Sequence, residues 1–381
     1  MEPRPFRVDV ADEILRDLRK RLARTRWPDA APGSTWEYGT DRTYLRELVT
    51  YWRDQFDWRA QERLLNTLPQ FTVPLDGIDL HFIHQRGVGP TPLPLLLSHG
   101  WPGSVWEFRS LIPLLTDPAA HGGDPADAFT IVAPSLPGYG FSFRPDGPRF
   151  GVPEIARTLA TLMTDVLGYA RYGAQGGDWG SFVSARLAAD HPERLYGIHL
   201  NMLPVPREPD ALDPQTDEER RYQEEMRTWI REETAYQAIQ GTKPQTLAYG
   251  LTDSPAGLAG WIVEKFRTWS DCDGDLESVF DRDELLTNIM TYWVTGAIGS
   301  SFWPYYDRLH AGWPLPRQRL IVPTAHTAFP REIIRPPRSI AERYFPIERW
   351  TPMAKGGHFA ALEQPTALAA DIRAFFRRFR S

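Results

Sequence analysis

The sequence predicts an α/β fold: a mostly parallel central sheet, preceded by an N-terminal extension and interrupted by an inserted helical lid. Three observations carry that expectation. Short, nearly unbroken apolar runs recur along the chain, and each ends in a sharp turn before a helical pattern. Strands apolar on both faces that alternate with helices belong to buried parallel sheets. A long aromatic-rich segment of mainly helical character, residues 204–317, separates the last of these runs from the others. A different pattern precedes the first run, with two amphipathic helices and a pair of strands around a tight turn.

Taken in order, Ile14 to Trp27 has helical spacing, with Ile14, Leu15, Leu18 and Leu22 on one face and Arg and Asp covering the rest. A second helix is expected over Tyr44 to Phe56. Phe71 to Val73 and Ile78 to Ile83 read as strands flanking the turn Asp76-Gly77. Residues 1–88 therefore form an N-terminal segment expected to wrap the core. Residues 89–203 are the first part of that core. Leu93 to Ser98 ends at His99-Gly100-Trp101-Pro102-Gly103, Phe129 to Ala133 at Pro134 to Gly140, Tyr172 to Gln175 at Gly176 to Gly180, and Leu195 to Leu200 at Asn201. Ligands of such sheets sit at the carboxyl ends of the strands. Pro204 to Asp217, rich in Pro and Asp, reads as a linker into the lid, and the charge run Asp217 to Arg221 as a solvated helix face. Arg319 to Pro323 and Arg349 to Ala354 resume the strand pattern, so residues 318–381 complete the core.

Composition narrows the function classes. With 42% hydrophobic and 24% charged residues the chain is globular, neither disordered nor fibrous. A net charge of −6 argues against nucleic acid as a partner. The one cysteine, Cys272, allows no internal disulfide and no cysteine-based metal site, and fits a reducing cytoplasm. Met1 to Asp12 is charged and lacks the apolar region of a signal peptide, and the run Leu93 to Leu97 is far too short to cross a membrane. No histidine pair has metal-site helix spacing, and no glycine-rich nucleotide loop follows a strand, so neither metal nor cofactor is expected.

Chemistry concentrates in three turns. Gly176-Gly177-Asp178-Trp179-Gly180 lies between a short apolar strand and the helix expected over Ser181 to Ala189. It is the nucleophile-elbow pattern of the α/β-hydrolase fold with Asp in place of Ser. A nucleophile on a tight, strained turn needs small neighbours, and the helix N-terminus favours the ionised carboxylate. Alone, the stretch also fits a glycine-rich turn with an N-capping Asp. The second turn, His99-Gly100-Trp101-Pro102, follows a strand. In this fold the oxyanion donors come from that loop and from the residue after the nucleophile, which makes them the backbone N–H groups of Trp101 and Trp179; His99 reads as a loop organiser rather than a base. The third, Gly356-Gly357-His358-Phe359-Ala360, precedes the terminal helix. An isolated histidine is usually structural, but one placed last in the order nucleophile, acid, histidine reads as the base. Glu332, after the preceding strand, is the expected acid that orients His358.

These motifs, in this order, resemble the microsomal-type epoxide hydrolases, a family that includes juvenile-hormone hydrolases and fungal and bacterial relatives. The resemblance spans nearly the whole chain, from Pro5-Phe6-Arg7-Val8 and Arg26-Trp27-Pro28 through the three turns to Phe329-Pro330-Arg331-Glu332 and Gly356 to Glu363. It extends into the lid at Gln240-Gly241-Thr242-Lys243-Pro244, Asp253 to Ala259 and Leu285-Leu286-Thr287-Asn288. It implies two lid tyrosines that donate to the epoxide oxygen, Tyr236 and Tyr305, with Tyr306 adjacent to the second. Catalysis is then expected from Asp178, His358, Glu332, Tyr236 and Tyr305, and substrate contacts from His99, Trp101, Pro102, Trp179, Tyr236, Tyr305 and Phe359. The implied reaction turns an apolar or aryl epoxide and water into a vicinal diol through an ester on Asp178, with no cofactor. Two rivals share part of this logic: a haloalkane dehalogenase with the same Asp–acid–His set, and a non-catalytic small-ligand receptor. The expected partner is a small epoxide, without nucleic acid or a membrane anchor; a homodimer is compatible with the sequence. The anchor helix of membrane-bound relatives has no counterpart in the sequence, so a microsomal location is not implied.

Overall fold

The structure, a computed structural model, describes residues 2–33, 35–206 and 212–380. Among these residues nine strands form one sheet: β1 (Arg4–Phe6), β2 (Gln70–Leu75), β3 (Ile78–Gln85), β4 (Leu93–Ser98), β5 (Phe129–Pro134), β6 (Tyr172–Gly176), β7 (Leu195–Leu200), β8 (Thr324–Ala328) and β9 (Ile347–Pro352). Their order is β1-β2-β3-β5-β4-β6-β7-β8-β9. β1, β2, β3 and β5 pair antiparallel. From β5 across to β9 every pair is parallel. The apolar runs are buried on both faces: Leu95, Leu96 and Leu97 of β4 and Ile131, Val132 and Ala133 of β5 have no exposed surface.

The fifth core strand is where the sequence expectation fails. Arg319 to Pro323 is not a strand; β8 begins immediately after it, at Thr324. The apolar residues of the expected strand sit in a link whose Ile321 is 77% exposed. β8 itself reads Thr-Ala-His-Thr-Ala, and its polar groups are buried because each has a partner. His326 Nδ1 donates to Leu200 O at 2.9 Å. Thr327 Oγ1 donates to Asp371 Oδ2 at 2.7 Å. Asp371, on the helix Pro365–Phe376, also takes His199 Nε2 of β7 at 3.1 Å and Thr351 Oγ1 of β9 at 2.7 Å, so one buried carboxylate ties three strands together. The last strand begins two residues earlier than expected, at Ile347 rather than Arg349.

Between β7 and β8 runs the helical lid, with helices Asp217–Glu233, Ala235–Thr242, Pro244–Asp253, Pro255–Trp269, Arg282–Thr295 and Trp303–His310. Part of the expected linker, residues 207–211, lies outside the described residues. The charge run is not wholly a solvated face. Glu219 is buried, taking Ser339 Oγ at 2.6 Å and the Arg343 guanidinium at 2.7 Å, and so fastens the first lid helix to the core. The N-terminal segment does two jobs. Its strands β1–β3 widen the sheet, and its helices Asp12–Ala23, Arg42–Asp54 and Trp58–Leu65 lie against the lid. Arg21 reaches Asp253 at 2.6 Å, Thr40 Oγ1 donates to Gly260 O at 2.6 Å, and Tyr51 OH donates to Asp283 at 2.9 Å. Among the described residues no helix is long and apolar enough to cross a membrane.

Candidate active site

β6 runs into the helix Asp178–Asp190 with no room for a loop, and Asp178 absorbs the reversal in a left-handed conformation at φ +45°. That conformation is costly for a residue other than glycine and recurs where function demands it. Close approach explains the surrounding glycines. A Cβ on Gly180 would stand 1.9 Å from Ser98 O, and one on Gly100 would stand 2.2 Å from Asp178 Oδ1.

The loop after β4 brings the expected backbone donor to the carboxylate: Trp101 N–H bonds Asp178 Oδ1 at 2.7 Å. The lid fixes this loop. Asn288 Nδ2 donates to Pro102 O at 2.7 Å, Ser104 Oγ donates to Asn288 Oδ1 at 2.8 Å, and Tyr292 OH donates to Gly103 O at 2.6 Å. The Trp101–Pro102 peptide is cis. His99 spends both ring nitrogens on backbone, with Nδ1 at 3.0 Å from Gly100 O and Nε2 accepting from Leu136 N at 3.1 Å. Burial pushes it down to about 4, so it is neutral and shapes the loop. The N–H of Trp179 is one of the first, intrahelically unpaired donors of its helix, and its indole lies edge-on to Tyr305 at 4.8 Å.

His358 is held from both sides. Its Nδ1 stands 2.6 Å from Glu332 Oε1, and its Nε2 stands 3.5 Å from Asp178 Oδ2. Glu332 Oε1 also accepts Ile333 N–H at 2.6 Å, which locks the carboxylate's direction. The loop carrying His358 is pinned by Glu363, which accepts the N–H groups of Asp271, Gly357 and Phe359, and by His358 N–H donating to Trp269 O at 2.9 Å. Burial works against a charged His358, but Glu332 and Asp178 outweigh it and raise the imidazole to about 10. At neutral pH the free site therefore holds an imidazolium between two carboxylates.

The lid supplies the roof. Tyr236 stacks on Trp101 with centroids 5.3 Å apart, and its hydroxyl accepts from Gln237 Nε2 at 3.0 Å. Tyr305 meets Trp101 edge-on at 5.8 Å and Tyr236 at 5.7 Å. Its burial, reinforced by Tyr236 and Asp178, holds its phenol well above the ordinary range and hence protonated. Tyr306 instead stacks on Trp303 and His310, outside this cluster. Phe359 lies flat on Phe266 at 3.9 Å and also lines the cavity beside the nucleophile. Trp269 meets the His358 ring at 5.1 Å. Two residues near the chemistry, Glu107 and Asn201, escaped the sequence reading; both line the same cavity. Neither sits in a motif; only the turn after β7, which ends at Asn201, hinted at one of them.

Residues 3–108 match the family described as epoxide hydrolase N terminus. Residues 94–256 match the alpha/beta hydrolase fold. The chain is 40% identical over 401 residues to epoxide hydrolase 1 of Oryctolagus cuniculus, covering 98% of this chain and 88% of that one. It is 38% identical over 403 residues to juvenile hormone epoxide hydrolase 2 of Ctenocephalides felis, covering 99% and 86%. The solved epoxide hydrolase of Aspergillus niger superposes with a TM-score of 0.87 at 30% identity, over 99% of this chain and 97% of that one. These likenesses run through the N-terminal segment, the core and the lid alike, and the chain belongs to the epoxide hydrolase family, hydrolases of the α/β-hydrolase fold.

Proposed function

We propose that the chain converts an apolar, aryl-bearing epoxide and water into a vicinal diol through an ester on Asp178. One observation carries this reading: the two oxygens of Asp178 have different partners. Oδ1 is taken by the Trp101 N–H at 2.7 Å, while Oδ2 faces His358. Oδ2 is then the attacking atom. It forms a C–O bond to one epoxide carbon while the bond from that carbon to the ring oxygen breaks, and Tyr236 and Tyr305 supply the proton that the leaving alkoxide needs. In the second step His358, having returned its own proton to the tyrosinate left by ring opening, takes a proton from water, whose oxygen attacks the ester carbonyl carbon. The oxyanion grows on Oδ1, where the Trp101 N–H already points and where Trp179 N–H is the second expected donor. The diol leaves as the C–O bond to the substrate breaks and its oxygen takes a proton. Aromatic walls on both sides of the nucleophile, Trp101, Trp179 and Trp269, support an aryl substituent.

The test is to mix His358→Gln with styrene oxide and weigh the intact protein. His358 acts in the second step, so a mass gain of one epoxide, mapped to the peptide containing Asp178, is expected. Diol production by the wild type with no adduct on the variant would overturn the covalent route.

A further inference from the structure

A small cavity opens beside the nucleophile, with a volume of about 20 Å³. A single water needs roughly 10–15 Å³ of such space, together with two to four polar partners. The lining provides them: Asp178, His358, Glu107, Gln175, Asn201 and Ser98 all face it. Gln175 and Ser98 are buried, and among the described residues Gln175 Oε1 and Ser98 Oγ have no hydrogen-bond partner. Gln175 Nε2 is spent on Asn201 Oδ1 at 2.9 Å.

Glu107 is the charged-type residue in this lining that the mechanism above leaves without a role. It sits on the short turn Val105–Phe108, which continues the loop carrying Trp101. Its carboxyl folds back against that loop so closely that a Cβ on Gly103 would stand 1.5 Å from Glu107 Oε1. The glycine is therefore what lets the carboxyl reach the cavity. Burial is the main influence on Glu107; the His358 charge opposes it and Asp178 adds to it, and together they raise the carboxyl to about 8. It is thus neutral at pH 7, able to donate one hydrogen bond and accept others. Glu107 also acts on Tyr292, the lid residue bonded to Gly103 O.

We propose that this cavity seats the hydrolytic water and that Glu107, with His358, holds the water in line with the carbonyl carbon of the Asp178 ester. The inference rests on the covalent route proposed above. The water's proton goes to His358, its oxygen bonds to the ester carbon, and Glu107 keeps its own proton throughout. Glu107 is then a positioning residue for the second step alone, since no water takes part in ring opening.

Rapid-quench mass spectrometry separates the two steps. In Glu107→Leu, ester formation should stay within about twofold of wild type, while ester hydrolysis slows roughly tenfold or more, the worth of one lost hydrogen bond to the reacting water. Glu107→Gln keeps a donor and an acceptor and should hydrolyse the ester within about threefold of wild type. Gly103→Ala, which drives a methyl into the carboxyl's place, should copy the Leu variant and guards against a Leu variant that does not fold. Hydrolysis at the wild-type rate in Glu107→Leu and Gly103→Ala, or equal slowing of both steps, would overturn the proposal, as would a Gln variant as slow as Leu. His358→Gln is the control: no ester there defeats the covalent route itself, whereas an ester there with normal hydrolysis in Glu107→Leu defeats only the water site.

Discussion

His358 stands between two carboxylates, and in the proposed reaction that placement orders the proton transfers. While Asp178 is free, both anions keep the imidazole charged and unable to act as a base. An ester on Asp178 removes one of those anions, so the base is expected to become available only once the first step is complete. The tyrosines meet the opposite requirement, since burial keeps the Tyr305 phenol protonated. Tyr305→Phe should slow ring opening roughly 10²-fold, the usual worth of a general acid. Tyr306→Phe should change it less than about twofold, because Tyr306 stacks outside the cluster. Single-turnover ester formation measures both; equal losses in the two variants would remove Tyr305 from the reaction. At this scale the sequence was legible where a motif constrains the backbone. Asp178 stands in a left-handed turn between glycines, His358 follows the positive-φ Gly356, and Glu332 was placed by its order in the chain between the two. Glu107 was not legible, because it reaches the site through side-chain packing that leaves no local pattern.

The elements divide into those whose polarity follows their burial and those whose does not. β4 and β5 are apolar and buried, so they were easy to place. β8 is polar and buried, and its burial is supported by Asp371, a residue over forty positions away in the sequence; no local reading could see that partner, and the apolar link before it drew the assignment instead. The same long-range logic governs the loop that carries Trp101, which the lid helix Arg282–Thr295 grips through Asn288. Asn288 is fully buried, so Asn288→Ala strands Pro102 O in the interior and leaves the Ser104 hydroxyl, which still accepts Trp106 N–H, without an acceptor for its own proton. Each such group costs about 1–3 kcal/mol. Urea unfolding should show a loss of roughly 2–6 kcal/mol for the two groups together, and ring opening should slow as the Trp101 N–H loses its fixed direction. An unchanged unfolding midpoint would mean that the loop is held by other contacts.

Across the whole molecule, the N-terminal segment and the lid form a brace over the sheet, and the site is sealed enough for buried groups to titrate far from their ordinary values. The consequence is a stability plateau whose alkaline edge can be located. His358 is raised from 6.5 to about 10, so between those values the folded chain holds a proton that the unfolded chain has lost. Its stabilising contribution is complete below about 6.5 and disappears as pH rises through about 10. Glu107 and Glu363, raised to about 8 and about 7, add to the decline over the lower part of that range. On the acid side His81, His99 and His326, depressed to about 3, 4 and 4, take up protons only on unfolding, which by itself lowers stability as pH drops below 6.5. There five raised carboxyls, Glu107, Glu363, Glu233, Glu284 and Asp307, oppose four depressed histidines, His84 included, and offset them. The thermal midpoint should therefore stay nearly flat from about pH 5 to about 6.5 and fall steadily toward pH 10. Asp178→Asn removes one of the anions that raise His358, so its alkaline decline should be shallower than that of wild type. Identical slopes in the two proteins would show that Asp178 does not hold the imidazole's charge, and the proton order argued for the reaction would fail with it.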